Sequence, residues 1–576
     1  MTLNQYVHPE EITKHISPQE LKGLNVLFIN MPLRETARPN NTPAGPLLMA
    51  TNLRNNYGID VSVIDLNAYR IRNDEAGHRD LIAGRWLTEQ EAEQLIETHI
   101  AKHGEPDLVA LSGMITTLRW QERIARYVKK TRPRVFLVSG GGLATELKTG
   151  LFKYIPELDA AAHSEGDDVV KKICYDAWTI KTTGFESALN SGKLEPYYLG
   201  EILGKHRFLY AGDRVRNLDS LPHADLDLIR TDVYGNPVLE WYLKTPIWGR
   251  VAGNSSAAPF TMDRSTSSVS SRGCPFGCKY CYRGAQGEKR WGTRSARHLY
   301  DELMDYLAKY AIDFHGYVDD NFAVTIERIR DMVPIIGPLK LRWGTHTRLD
   351  EAAGVKPKPG GQGEYLFENP LRINLMAKAG CVYIGFGPES ANKDVLEAIG
   401  KGGHTLSNGF VAKRVNNKNY EFPRSMIVGI ENCVRFGIHS NCTWIMALPT
   451  ETLERLKESV AFIKWQEEFY AQNGIPAEAV NKNMFTLTWY PGTEMIHSPK
   501  VRSEIARVFG ITFDERHEPV CDDNFYRYMI ELDDATKVLH NNAGEPLNFS
   551  DMPMEQFLEA RSYADGTDKI FKILDM

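Results

Sequence analysis

The sequence predicts an α/β protein: a doubly wound parallel sheet, then a second run of six βα units forming a partial barrel, then a helical extension. Three observations predict this. Short apolar runs alternate with helix-length amphipathic segments twice, before residue 178 and again from residue 265. The stretch between them is rich in Gly, Pro, Ser and Asn. Small and polar residues gather at the carboxyl ends of the runs, where open α/β sheets and barrels place ligands. The expected divisions are residues 1–178, a linker over 179–264, the barrel over 265–498 and the extension over 499–576.

At 576 residues the chain is too long for one ordinary core. Hydrophobic residues at 42% and charged ones at 25% describe a soluble globular protein. A net charge of −6 gives no footprint for nucleic acid or an anionic membrane surface. Met1 to Lys22 is polar with both charge signs, unlike a signal peptide, and no apolar run reaches bilayer length. Cys174, Cys381, Cys433, Cys442 and Cys521 are scattered through apolar segments. They do not form a disulfide framework, which points to a reducing, cytoplasmic compartment.

Asn25 to Asn30 is the first strand, followed by a Pro-rich loop (Pro32 to Pro46) and a helix over Leu47 to Asn56 that ends near Gly58. Val61–Asp65, Leu108–Gly113, Arg134–Ser139 and Leu158–Ala162 are the next strands, with a helix over Leu118–Thr131. The third strand ends in Ser112-Gly113 and the fourth runs into Gly140-Gly141-Gly142. Small residues there let a bulky ligand approach the backbone, although a Gly triplet is also an ordinary turn.

Thr266–Ser271 opens the barrel, followed by a helix over Arg294–Tyr310. The later strands are His315–Val318, Leu341–Thr347, Val382–Phe386, Asn441–Met446 and Asn483–Trp489. Gly354–Gly363 and the polar stretch Lys401–Arg424 read as loop additions. His346 and Trp444 read as inward-facing core residues. Asn548–Met552, before Pro553-Met554-Glu555, reads as a capped helix start in the extension.

The first barrel strand delivers Cys274, Cys278 and Cys281, three of the chain's eight cysteines within eight residues. Gly273, Pro275 and Gly277 disfavour a helix and favour a loop that turns three sulfurs toward one centre. Three thiolates are one short of a closed zinc site or a fully ligated iron–sulfur cluster. A cluster on three cysteines keeps one iron open for a further ligand. The alternative, a zinc knuckle, wants a fourth ligand nearby, and the first histidine downstream, His298, falls inside a helix at the wrong spacing.

The C-x3-C-x2-C spacing with Tyr280 before the third cysteine resembles the cluster loop of the radical S-adenosylmethionine (SAM) enzymes. Asp319-Asp320-Asn321, Lys378–Cys381, Gly387-Pro388-Glu389-Ser390, Leu448–Thr452 and Tyr490–Thr493 match that family's rim marks in order. Ala447 and Thr450 depart from it, standing where the family has glycine. The N-terminal domain resembles the cobalamin-binding domain of one large radical SAM subclass, which includes class B methyltransferases and the anaerobic magnesium-protoporphyrin ester cyclase. Ser112, with Thr116 or Thr117 behind it, and Gly140-Gly141 match positions around the buried nucleotide tail. Ser164–Asp167 resembles a Gly-Glu-Gly-Glu turn, and Asn217–Pro222 resembles the family's joining segment. The Asp-x-His-x-x-Gly motif that gives cobalt a histidine is absent after the first strand.

The resemblance implies a Rossmann-like cobalamin domain, a (β/α)6 TIM-type barrel and three cofactors: a [4Fe–4S] cluster, SAM and cobalamin. Cys274, Cys278 and Cys281 would hold the cluster, and SAM would chelate its fourth iron. Tyr280 would approach adenine. Asp319 and Asp320 would meet the SAM ammonium group, or cap the helix near Thr325. Glu389 and Ser390 would face the ribose or methionine part, or cap the next helix. Arg348 would pair with the SAM carboxylate, or with Asp350 or Glu351. The implied reaction begins with one-electron cleavage of SAM to a 5′-deoxyadenosyl radical, fed by an external flavodoxin- or ferredoxin-type donor. It ends in methylation of an unactivated carbon, or phosphorus, of a small molecule. The alternatives are a cobalamin-using oxidative cyclase or ring-contraction enzyme, a transfer-RNA methylthiolating enzyme, and a non-catalytic cobalamin sensor. The methylthiolating enzyme wants three N-terminal cysteines, where this chain has only Cys174. The sensor has no use for the cysteine loop.

Overall fold

The computed structural model describes residues 7–33, 41–69, 87–244, 262–282, 290–357, 365–367, 370–533, 538–540 and 543–576. Parts of the Pro-rich loop, the linker and the Gly354–Gly363 insertion lie outside the described residues. The chain forms two compact units. The first is Met1–Tyr242 with Gly284–Gln286 and Val520–Lys537; the second is Leu243–Arg283 with Gly287–Pro519 and Val538–Met576.

The first unit is built on β1 (Asn25–Asn30), β2 (Asp60–Asp65), β3 (Leu108–Gly113), β4 (Phe136–Gly141), β5 (Ala160–His163), β6 (Tyr198–Ile202) and β7 (Lys205–Ala211). Their order is β2-β1-β3-β4-β5-β7-β6, parallel throughout except for the antiparallel edge strand β6. Val26 to Ile29 and Leu108 to Leu111 are buried without alternation, as expected of strands covered by helices on both faces. The order reverses between β1 and β3, so Asn30, Ser112 and Gly140 sit side by side at the carboxyl edge. That reversal is where open α/β sheets form a ligand crevice.

β6 and β7 correct the expectation of an irregular linker. They form a hairpin closed by Leu203 and Gly204, both left-handed (φ 54° and 73°), the two-residue turn whose twist suits flanking strands. Phe208 and Tyr210 of β7 bury themselves against β5. Arg207 is fully buried, its NH2 donating to the Pro156 carbonyl (3.0 Å) and its guanidinium lying over the Phe152 ring.

The second unit carries β8 (Ser265–Ser268), β9 (Phe314–Tyr317), β10 (Arg342–Thr347), β11 (Cys381–Glu389), β12 (His439–Met446) and β13 (Met484–Thr486), six strands in sequence order and all parallel. β8 is polar yet buried because its hydroxyls have partners. Thr266 and Ser268 both bond the His315 ring (2.9 and 3.0 Å), and Ser268 donates to Glu302. Trp343, Tyr317 and Trp444 face the helix layer: Trp343 donates to the Ala379 carbonyl, and Trp444 packs on Phe462 of the helix Leu453–Gln472. Trp444 is therefore core, but toward the helices. His346 lies on the opposite face of β10, the interior of the barrel, as expected of it; its ring reaches solvent there, yet the surrounding protein lowers its pKa to about 4 by desolvation.

Lys401–Arg424 is not a loop either. A short helix, Gly402–Leu406, leads into a hairpin of Phe410–Val415 and Lys418–Pro423 that turns through left-handed Asn416-Asn417. The extension is helical, with Pro499–Phe509, Asp523–Glu531 and Met554–Tyr563. Asn548 does not cap the last of these. It accepts from Ser550 N and its amide donates to Met552 O, forming a turn ahead of the helix.

β12 ends in a strained turn. Ala447 and Thr450 are left-handed (φ 65° and 67°), a conformation that costs a residue with a Cβ about 1–2 kcal/mol. The turn closes on Glu451, which is fully buried, accepts from Ala447 N (2.8 Å) through Oε2 and leaves Oε1 without a partner among the described residues. Burial raises its carboxyl to about 8 against bonds from the Ala447 and Leu448 amides, so folding binds a proton that the unfolded chain releases near its ordinary value of 4.5.

Two outcomes follow. Leu203 is exposed and left-handed, so Leu203→Asn should stabilise the protein by about 1 kcal/mol in urea unfolding; a destabilised variant would contradict the turn geometry. Glu451 should make stability fall as pH rises from about 5 to about 8, by up to about 1.4 kcal/mol per unit. Glu451→Gln should flatten that slope; an unchanged slope in a pH series of melting temperatures would assign the titration elsewhere.

Candidate active site

The cysteine loop leaves β8 through a short strand, Ser271–Arg272, paired antiparallel with Gly292–Thr293. Its start is fixed by Asp319, a buried carboxylate just beyond β9. Asp319 accepts from Ser270 N (2.6 Å), Ser270 Oγ (2.5 Å) and Ser271 Oγ (2.6 Å), and Arg328 lies 3.6 Å away. Arg328 also donates to Ser270 Oγ and covers the Phe322 ring.

Asp319 is thus spent inside the protein, whereas Asp320 is exposed and accepts from Gly273 N (3.1 Å), the residue before the first cysteine. Neither caps the helix Ile326–Ile336, whose preceding residue, Thr325, makes no side-chain capping bond.

Four of the five later strands then lead to a residue that grips the loop. From the β9 end, the Asn321 amide reaches Cys274 Sγ (3.9 Å) and is held by Thr347 and Glu351. From β10, Arg348 NH1 donates to Cys278 Sγ (3.5 Å). After β11, Ile399 O accepts from Lys279 N (2.9 Å); beyond β13, Met495 N donates to Lys279 O (3.0 Å). Gly400 makes the β11 grip possible. It is left-handed (φ 73°), and a Cβ there would lie 2.7 Å from the Gly277 carbonyl.

Cys278 is buried, Cys274 half-buried and Cys281 exposed; all eight cysteines are free thiols. Burial raises the Cys274 thiol, a cost that metal binding offsets by taking the thiolate. Among the described residues no three His, Cys, Asp or Glu side chains close on a single ion. The donor set, three sulfurs on one loop, fits a multi-iron cluster in which each thiolate takes its own iron.

Arg348 does not reach outward. It is buried against Asp350, through Nε (3.0 Å) and NH2 (2.6 Å), with a further bond to Thr405 (3.2 Å). Of the two neighbouring carboxylates expected as alternatives to SAM, Asp350 and Glu351, its guanidinium pairs with Asp350. Glu389 follows a bulge in which β11 carries one residue more than β12 between Phe386 and Glu389. Bulges re-aim side chains at sites, and here the backbone turns left-handed at Glu389 (φ 65°). Its carboxylate accepts from Tyr280 OH (2.9 Å) and lies 3.4 Å from Lys401 Nζ, which also donates to the Tyr280 oxygen (3.1 Å) and to Gly387 O. Burial and the Glu389 carboxylate hold the Tyr280 phenol well above its ordinary value, so it remains a donor.

Ser390 is turned away, bonding Ser459 (3.2 Å) and Asn392 N. The next helix, Lys393–Ala398, is capped by Asn392 and not by Glu389 or Ser390.

Lys401 and Asn321 are the two polar groups that sequence reasoning missed as site residues. Lys401 had one signal, a lone cation inside Gly400-Lys401-Gly402-Gly403. Asn321 stood in the Asp-Asp-Asn step but behind two more conspicuous carboxylates.

In the first unit, Ser112 and Gly140 are register partners, as are Gly113 and Gly141. Gly141 is left-handed (φ 85°), and a Cβ there would meet the Gly113 carbonyl at 2.4 Å. Above Gly140 there is room: a Cβ would find nothing closer than 3.9 Å. The Thr116 hydroxyl donates to Leu33 O (2.9 Å) and ties down the chain after β1. The low step at Ser112, Gly140 and Gly141, one short hydroxymethyl beside two glycines, fits a large planar cofactor lying on the sheet edge.

Residues 268–463 match the Radical SAM superfamily and residues 33–173 match the B12 binding domain. A relative described as an uncharacterized methyltransferase of Pyrococcus horikoshii is 25% identical over 69% of this chain and 70% of its own length. The anaerobic magnesium-protoporphyrin IX monomethyl ester cyclase of Rubrivivax gelatinosus is 22% identical over 62% of this chain and 57% of its own. Among solved structures, the radical SAM methyltransferase TsrM from Kitasatospora setae, with tryptophan and a SAM analogue, aligns over 95% of this chain and 88% of its own (TM-score 0.56, 15% identity). The cobalamin-dependent radical SAM enzyme OxsB, with aqua-cobalamin and SAM, aligns over 87% of this chain and 63% of its own (TM-score 0.57, 14% identity). The last two show a shared fold. With both domain matches and the site geometry in hand, the chain is a radical SAM enzyme of the B12-binding-domain family, and its cofactors are a [4Fe–4S] cluster, SAM and cobalamin.

Proposed function

We propose that the protein is a methyltransferase that uses these cofactors to methylate an unactivated carbon, or phosphorus, of a small molecule. The observation that carries the reading is the three-sulfur loop gripped at its rim by four other strand ends in a chain that also has a B12-binding domain. The relatives support methyl transfer in particular: besides the P. horikoshii protein they include bacteriochlorophyllide d C-8(2)-methyltransferase of Chlorobaculum tepidum, 22% identical over 44% of this chain. When bound, the three cofactors together supply a reducing electron, a hydrogen-abstracting radical and a methyl carrier.

The chain's own residues supply position and shielding. Cys274, Cys278 and Cys281 are the cluster ligands, leaving one iron open. Asp320, exposed beside Gly273, takes the SAM ammonium group, while Lys401 and Glu389, held together next to Tyr280, take its carboxylate and ribose. Tyr280 keeps its proton and donates. Ser112, Gly140 and Gly141 form the floor of the cobalamin site. The electron comes from an external donor of the flavodoxin or ferredoxin type. Among the described residues no helix is long and apolar enough to cross a membrane.

A cyclase that does not methylate is the second reading, favoured by the similarity to the R. gelatinosus enzyme. The SAM products separate the two. After anaerobic reconstitution with iron, sulfide and cobalamin, reductant and candidate substrates should yield both 5′-deoxyadenosine and S-adenosylhomocysteine. Deoxyadenosine alone would favour the cyclase. Cys278→Ala should lose the cluster absorbance and SAM cleavage; retention of both would refute the cluster assignment. Gly400→Ala pushes the Gly277 carbonyl and should lower bound iron several-fold with the circular dichroism of the fold retained; full iron content would remove the loop's dependence on that contact.

A further inference from the structure

Arg348 is placed to act on the cluster rather than on SAM. Its Nε and NH2 are fixed by Asp350, and NH2 also reaches Thr405, which leaves NH1 directed at Cys278 Sγ, 3.5 Å away. The guanidinium plane lies over the Phe276 ring, 4.2 Å from its centroid, and Phe276 stands edge-on to His404 at 5.0 Å. Phe276 is itself a loop residue, two before Cys278. One cation therefore holds both the sulfur and the loop that presents it. Arg348 and Asp350 are both buried, so water and salt screen their fields little.

We propose that Arg348 is a positioning residue that donates a charge-assisted N–H bond to the Cys278 sulfur and thereby raises the reduction potential of the cluster, with Asp350 as the opposing charge that limits the rise. The proposal rests on the reading that this loop holds the cluster. Reduction adds one negative charge to the cluster, and an N–H donor with a full positive charge at a ligand sulfur stabilises that extra charge. An arginine does this at any working pH, since its guanidinium stays protonated. The pair thus gives two handles of opposite sign on one quantity, because removing Arg348 deletes the cation and removing the Asp350 charge exposes it.

The test is an anaerobic potentiometric titration of the reconstituted full chain without SAM, followed by electron paramagnetic resonance, with iron content and circular dichroism measured on the same samples. Arg348→Met should make the cluster harder to reduce by about tenfold in the reduced-to-oxidised ratio at a fixed potential, which for one electron is about 59 mV. Asp350→Asn should shift the ratio the other way, and Arg348→Lys should fall between Arg348→Met and the wild type. A role confined to folding would change cluster content or melting temperature and leave the potential where it was. Unchanged potentials, or shifts of the same sign in Arg348→Met and Asp350→Asn, overturn the proposal. If Arg348→Met fails to hold a cluster, Arg348→Lys and Asp350→Asn decide, and an unchanged potential in both overturns it. A Cys278→Ala protein with the wild-type cluster signal would instead refute the reading of the loop.

Discussion

The buried carboxylate of Asp319 is the constraint on which the second unit turns. A carboxylate taken out of water must have its lone pairs filled, and here the backbone N–H and two hydroxyls of the Ser270-Ser271 step fill them, with Arg328 as the counter-charge. The arrangement decides where β8 stops being a strand, and so where Cys274 begins. Because Asp319 comes from the end of β9, the register of two neighbouring strands and the position of the first sulfur are one structural fact. Everything else on the rim adds a second or third hold on a loop already placed.

Strain collects at the same rim. Glu389, Ala447 and Thr450 are all left-handed, and none is glycine. At Glu389 the distortion has an evident use, since the bulge before it turns the carboxylate toward Tyr280 and Lys401. At Ala447 the conformation lets its amide reach Glu451, which is buried and held neutral over much of the pH range. The surrounding sheet must supply the stability that these backbones give up.

Much of the fold was legible because buried parallel strands leave a plain mark, four or five apolar residues ending in something small or polar. β1 and β3 are of that kind. The two hairpins were not legible, for a shared reason. Their turns, Leu203-Gly204 and Asn416-Asn417, are two-residue left-handed turns set in stretches of mixed polarity, and in the first Gly204 is paired with a leucine that gives no sign of the conformation. Within the site, cysteines and rim carboxylates could be found by spacing, but their directions could not. Whether Asp319 or Asp320 faces outward depends on one peptide's orientation, and Arg348 chose Asp350 because both are buried together. Lys401 was hidden because its partner Glu389 lies twelve residues earlier, across a helix and the end of a strand.

The way the loop is gripped also has a consequence for the order of events during synthesis. Asp320, Arg348, Ile399 and Met495 all lie C-terminal to the three cysteines, the last by more than two hundred residues. A nascent chain that has just exposed those thiols owns none of the contacts that hold the loop in place. The holds on the loop therefore close only as the strands that follow it fold, so the three sulfurs reach their described positions late in the assembly of the second unit.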